Sequence, residues 1–130
     1  MSNPRNTPTP SNWLKWFDPR GRNIGTYAFI LNRITAIGLT FYLFLHLIVL
    51  GQLAKGPEGY DNFLRMIDSP LYLFGELLVI AAVLIHGLNG IRVALTSFGI
   101  GVNAQKQAFY AVMVVAIVGS LIFAVRMIIG

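Results

Sequence analysis

The chain has 130 residues, 55% of them hydrophobic and 12% charged, and a mean hydropathy of +0.66, more apolar surface than a soluble domain of this size can bury. It has no cysteine, which excludes disulfides, thiolate nucleophiles, sulfur-ligated zinc and cysteine-ligated iron–sulfur clusters from this chain. The net charge of +5 does not indicate nucleic acid, because the basic residues flank apolar runs instead of forming one patch.

The expected class is all-α, an integral membrane protein with three transmembrane helices in a bundle completed by other chains. An N-terminal segment, 1–26, precedes a transmembrane domain, 27–130. Residues 1–12 are rich in Pro, Ser and Asn, with nothing to bury, and are expected to be mobile unless a partner orders them. In the following NWLKWFDPRGR, Trp13, Trp16 and Phe17 share a helical face with Lys15 nearby, which suits the headgroup region or the docking of a soluble partner. No continuous apolar core or small-residue cleavage pattern marks a signal peptide there, so the segment is expected to stay on the mature protein.

Three runs, 27–53, 71–95 and 108–129, are each long enough to cross roughly 30 Å of hydrocarbon. Between the first two, KGPEG reads as a turn. Tyr60, Phe63, Leu64 and Ile67 then fall at helical spacing and predict an amphipathic surface helix. Ser69 and Pro70 suit the N-cap and first position of the second span. TSFGIGVNAQKQ is a short polar connection. The third span, interrupted only by Gly119 and Ser120, carries no charge before Arg126 and is expected to serve packing. Seven basic residues, Arg5, Lys15, Arg20, Arg22, Arg33, Arg92 and Lys106, fall on one side of this arrangement. Lys55, Arg65 and Arg126 fall on the other, with Glu58, Asp61 and Asp68, so the N-terminus is expected to be cytoplasmic.

An ionisable group in hydrocarbon costs a few kcal/mol or more unless it is paired, so Arg33, His46, Glu76, His86 and Arg92 each need a reason. Gly75, Ala82 and Gly90 share the helical face of His86, where a flat ligand such as haem could lie, though small-residue helix packing uses the same spacing. Thr35 and Gly38 are the small residues nearest the face of His46, which Leu39 and Tyr42 crowd. With Arg33 and Arg92 as markers of one boundary, His46 lies roughly 20 Å deep and His86 roughly 9 Å. A difference of about 10 Å argues against joint ligation of one iron, so the two histidines are expected to serve different sites. For bis-histidine haem, each opposite ligand must come from a second membrane subunit. Arg33 and Arg92 can pair with carboxylates, lipid phosphates or haem propionates, can polarise a quinone carbonyl, or can simply snorkel. Glu76, at a depth comparable to His46, reads as a structural glutamate or as a proton carrier.

LNRITAIGLTFYL, opening the first span, and HGLNGIRVALTSFG, closing the second, resemble the cytochrome b subunit of succinate dehydrogenase over residues 27–99. That family opens its first helix with His- or Gln-Arg-x-Ser/Thr-Gly, matched by Asn32, Arg33, Ile34, Thr35 and Ala36 with departures at Asn32 and Ala36. Its second motif, His-x-x-x-Gly-Ile/Leu-Arg-His/Phe ending in Asp, is matched by His86, Gly90, Ile91 and Arg92, with departures at Val93 and Ser97. The resemblance implies a membrane anchor that holds haem b and helps form a quinone site beneath an iron–sulfur subunit, itself fed by a flavoprotein that oxidises succinate. It implies that His86 is an axial haem ligand, that Arg33 lies near the quinone and the haem propionates, and that Arg92 is the arginine of the second motif. Phe29 stands where the family often has serine, so Phe29, Asn32 and Arg33 imply an altered quinone pocket. His46 resembles the first-helix histidine of two-haem members. The location implied is the inner membrane of a prokaryotic cell. A haem-free structural anchor, a fumarate reductase anchor and a proton-conducting subunit using His46 and Glu76 are the alternatives.

Overall fold

The computed structural model describes residues 11–18, 20 and 23–130. The start of the chain, including Arg5, lies outside the described residues, as do Arg22 and the side chains of Trp16 and Phe17. Trp13–Phe17 is one short 3-10 segment, with Trp13 exposed. At its end Asp18 takes two hydrogen bonds from the Arg20 side chain, at 3.0 and 3.1 Å, and this contact raises the Arg20 pKa above its ordinary value.

Four α-helices follow: α1 (Ile24–Leu53), α2 (Pro57–Ile67), α3 (Pro70–Ser97) and α4 (Gln105–Ile129). Three of them, α1, α3 and the helical stretch ending in α4, are long and apolar enough to cross a membrane. At 30 residues, α1 extends for about 45 Å, beyond the hydrocarbon at one or both ends. It starts three residues ahead of the apolar run, since Ile24, Gly25 and Thr26 join its first turn.

The expected KGPEG turn is shorter than its sequence suggests. The turn ends at Gly56, at φ +83°, and Pro57 already opens α2. Proline at the first helical position loses no hydrogen bond, and Glu58 beside it complements the positive end of the helix. Gly59 is buried against the Gln52 backbone carbonyl, where any Cβ would collide, so α2 folds tightly back on the end of α1. Ser69 stands at the N-cap position of α3 in an extended conformation, without a side-chain capping bond, and Pro70 starts the helix. At the other end, the N–H of Ile100 reaches the Leu95 carbonyl and that of Gly99 the Thr96 carbonyl, both at 3.0 Å. This is a Schellman closure, and Gly99 supplies the positive φ, +82°, that it needs.

Helix α3 is the middle element, packing along both α1 and α4, which barely touch each other. Small residues make the closeness possible. Ala116 on α4 is fully buried, and Gly119, one turn on, lies against Leu84 of α3, which gives the third span its packing role. Few other apolar side chains are buried. Phe41, Phe44, Ile48, Leu71 and Ile122 are among many that stay exposed, as expected where lipid or another membrane chain is the solvent.

Candidate functional site

One end of the α1–α3 seam is polar. His86 directs Nδ1 at α1, 3.1 Å from the Asn32 carbonyl oxygen and 3.3 Å from Thr35 Oγ1. Three residues along α3, Asn89 Nδ2 donates to the Ala28 carbonyl at 3.3 Å. The α1 partners are four residues apart in the reverse order, so the contacts are successive rungs between antiparallel helices. Asn89 is 2% exposed. Its Oδ1 accepts from Arg92 Nε at 2.9 Å, and Arg92 Cζ stands 5.8 Å from the centre of the Phe109 ring on α4. A single stripe of α3, His86–Asn89–Arg92, thus reaches both neighbouring helices.

Counting protons fixes the imidazole. A carbonyl oxygen only accepts, so the Asn32 contact requires a proton on His86 Nδ1. Thr35 directs its one hydroxyl proton at carbonyls of its own helix, Leu31 at 2.8 Å and Asn32 at 3.0 Å. The Thr35 oxygen is therefore an acceptor for the same Nδ1–H. The neutral ring then carries its lone pair on Nε2. Among the described residues, Nε2 makes no hydrogen bond, and Asn32 Oδ1 is the only buried unpaired side-chain N or O atom. Nε2 therefore opens at the surface of the chain.

An oriented imidazole with a free Nε2 has the arrangement found in ligating histidines, which characteristically donate their other N–H to a carbonyl. A Cβ at Gly90, one turn along α3 from His86, would meet nothing within 4 Å, so no other part of the chain fills that surface. These residues fit an axial haem ligand. The departure from the family motif at Asn32 leaves the contact intact, since His86 is held by the backbone carbonyl of residue 32, which any side chain there supplies.

Two depth expectations change. His86 is level with Asn32 and Thr35, hence with Arg33, while Arg92 lies six residues further out on α3, about 9 Å. The two arginines therefore do not mark one boundary. His46 lies 11 to 14 residues from the level of His86, about 16 to 21 Å, a wider gap than the expected 10 Å. The guanidinium groups nevertheless draw level. Arg33 reaches back one turn to stand 4.5 Å above the Phe29 ring, Arg92 reaches back to Asn89, and in antiparallel helices those directions converge near Ala28 and Phe29.

His46 is exposed, and among the described residues its hydrogen-bond and ring partner belongs to its own helix. The Tyr42 ring stacks on it at 5.4 Å, with the hydroxyl 3.4 Å from Nδ1. A hydroxyl both donates and accepts, so this contact fixes no tautomer. No hydrogen bond or ion pair joins His46 to Glu76 among the described residues. Thr35, on the same face of α1 as His46, bonds His86. Asn89 is a site residue that sequence reasoning misses. Its one signal is an amide in an apolar run, three residues from both His86 and Arg92.

Fold and site together define a multi-pass helical membrane protein that presents an imidazole and an amide–arginine pair at one end of the α1–α3 seam. The sequence matches the profile of the succinate dehydrogenase/fumarate reductase transmembrane subunit over residues 4–123. It is 33% identical over 91 residues to a succinate dehydrogenase hydrophobic membrane anchor subunit of Halobacterium salinarum, covering 69% of this chain and 70% of that one. A succinate dehydrogenase 2 membrane subunit of Mycobacterium tuberculosis is 35% identical over 74 residues, 57% of this chain and 54% of its own. A fumarate reductase subunit of Yersinia pestis is 28% identical over 106 residues, 78% of this chain and 82% of its own. The chain belongs to the succinate dehydrogenase/fumarate reductase transmembrane subunit family, as a membrane-anchor subunit.

Proposed function

We propose that this chain is the cytochrome b anchor of a succinate:quinone oxidoreductase in a prokaryotic cytoplasmic membrane, with its N-terminus on the cytoplasmic side. The observation that carries this reading is the His86 imidazole, held through Nδ1–H by the Asn32 carbonyl with Nε2 open. His86 would ligate haem b, opposite a ligand from a second membrane subunit, and Arg92, steered by Asn89, would face a propionate. A haem bound there supplies one-electron transfer. This chain carries out no succinate chemistry. Electrons from succinate, taken in the flavoprotein partner, pass through the iron–sulfur partner to quinone beside this subunit. Arg33, backed by Phe29 and adjacent to Asn32, donates to a quinone oxygen and stabilises the charge that builds there. Succinate oxidation is favoured over fumarate reduction by the higher identity to the succinate dehydrogenase subunits. His46 would serve a second, outer haem completed by the same partner.

The test is the purified complex, assayed for succinate-dependent reduction of a soluble quinone and for dithionite-reducible b-type absorbance. Both are expected. Quinone reduction without any reducible b-type absorbance supports a haem-free anchor and overturns the haem assignment.

A further inference from the structure

Resting on the haem reading of His86, we infer that Thr35 is a positioning residue for that ligand, a second acceptor on His86 Nδ1–H that sets both the ring orientation and the electron density at Nε2. Two acceptors, the Asn32 carbonyl at 3.1 Å and Thr35 Oγ1 at 3.3 Å, share the one proton. Thr35 is itself locked. Its hydroxyl proton points to the Leu31 carbonyl at 2.8 Å, which leaves an oxygen lone pair for the imidazole.

Thr35 is only 8% exposed, so water has little access to replace a lost oxygen. The Asn32 carbonyl is backbone and survives any substitution. Thr35 is therefore the only side chain among the described residues through which the Nδ1–H bond can be tuned. An acceptor on Nδ1–H makes the imidazole a stronger donor to a metal at Nε2, which favours the oxidised iron. Removing one acceptor weakens that donation.

The experiment uses the intact complex carrying Thr35→Val, which keeps the side-chain shape without the oxygen, and Thr35→Ser, which keeps the oxygen. The haem midpoint potential and the low-spin electron paramagnetic resonance of the oxidised haem are read for each. Thr35→Val is expected to retain haem, raise the midpoint potential of the His86 haem and shift its resonance, while Thr35→Ser returns both to wild-type values. Should Thr35→Val fail to assemble, Thr35→Ala, which cannot overpack the seam, carries the same expectation. Haem lost from the Val and Ala variants but kept with wild-type potential in Thr35→Ser also supports the role. A potential and resonance unchanged in Thr35→Val, or moved equally in Thr35→Ser, overturns it. A wild-type complex with no reducible haem overturns the haem reading instead, so the two failures are distinct.

Discussion

Thr35 and His46 lie on one stripe of α1, 11 residues apart and so within about 20° of each other around the helix, yet their surroundings are opposite. At Thr35 the stripe is closed against α3, and the hydroxyl is buried and bonded to His86. Three turns away, the same stripe is open, and among the described residues the exposed His46 ring has Tyr42 of its own helix as its hydrogen-bond and stacking partner. The difference shows what determines the chemistry of an intramembrane histidine. Against a backbone carbonyl, which can only accept, the ring has a single tautomer and one free nitrogen. Against a hydroxyl, either nitrogen can hold the proton, and the contact selects no tautomer.

On the proposed reading, the largest effect is expected from His86→Ala, which should remove the ligand at the closed end and with it one haem per copy of this chain. Pyridine haemochrome quantification of the purified complex checks this. His46→Ala should remove the proposed outer haem and leave the proposed inner one at wild-type potential, since about 16 Å or more of helix separates the two histidines; a shifted inner potential would show the two ends to be coupled. Asn89→Ala removes the donor to Ala28 and the acceptor for Arg92 Nε without overpacking the seam. It should destabilise the α1–α3 seam by about 1–3 kcal/mol, seen as a lower melting temperature of the complex with haem content preserved at low temperature. Tyr42→Phe keeps the stacked ring and loses only an exposed hydroxyl, so its stability change should stay within about 0.5 kcal/mol. A larger change would mean that the open end is more ordered than its exposure indicates.

Much of the fold is legible because length and apolarity alone specify a membrane span, and the observed helices extend the three apolar runs by at most three residues at either end. The Ser69–Pro70 start of α3 and the surface helix α2 are likewise readable from local chemistry. The KGPEG segment is ambiguous because Gly and Pro signal both a break and a helix start, and only the backbone angle at Gly56 separates them. At the site, His86 and Arg92 stand out as ionisable groups in an apolar run. Asn89 does not, although an unpaired amide in hydrocarbon is under the same pressure to find a partner. Thr35 cannot be assigned from one helix, because its stripe points equally to His46 and to whatever packs opposite, and only the register of α3 decides. That register also separates Arg33 from Arg92 in depth, which no spacing within a single helix could reveal.

Whether the two histidines serve separate sites, with His86 a ligand in its own right, is decided by counting haem per chain side by side in wild-type, His86→Ala and His46→Ala complexes by difference spectroscopy. Two haems are expected in the wild type, with the loss of a different one in each variant, distinguishable by midpoint potential. A complex in which His86→Ala keeps its full reducible absorbance, or in which both variants lose the same single haem, would contradict separate sites.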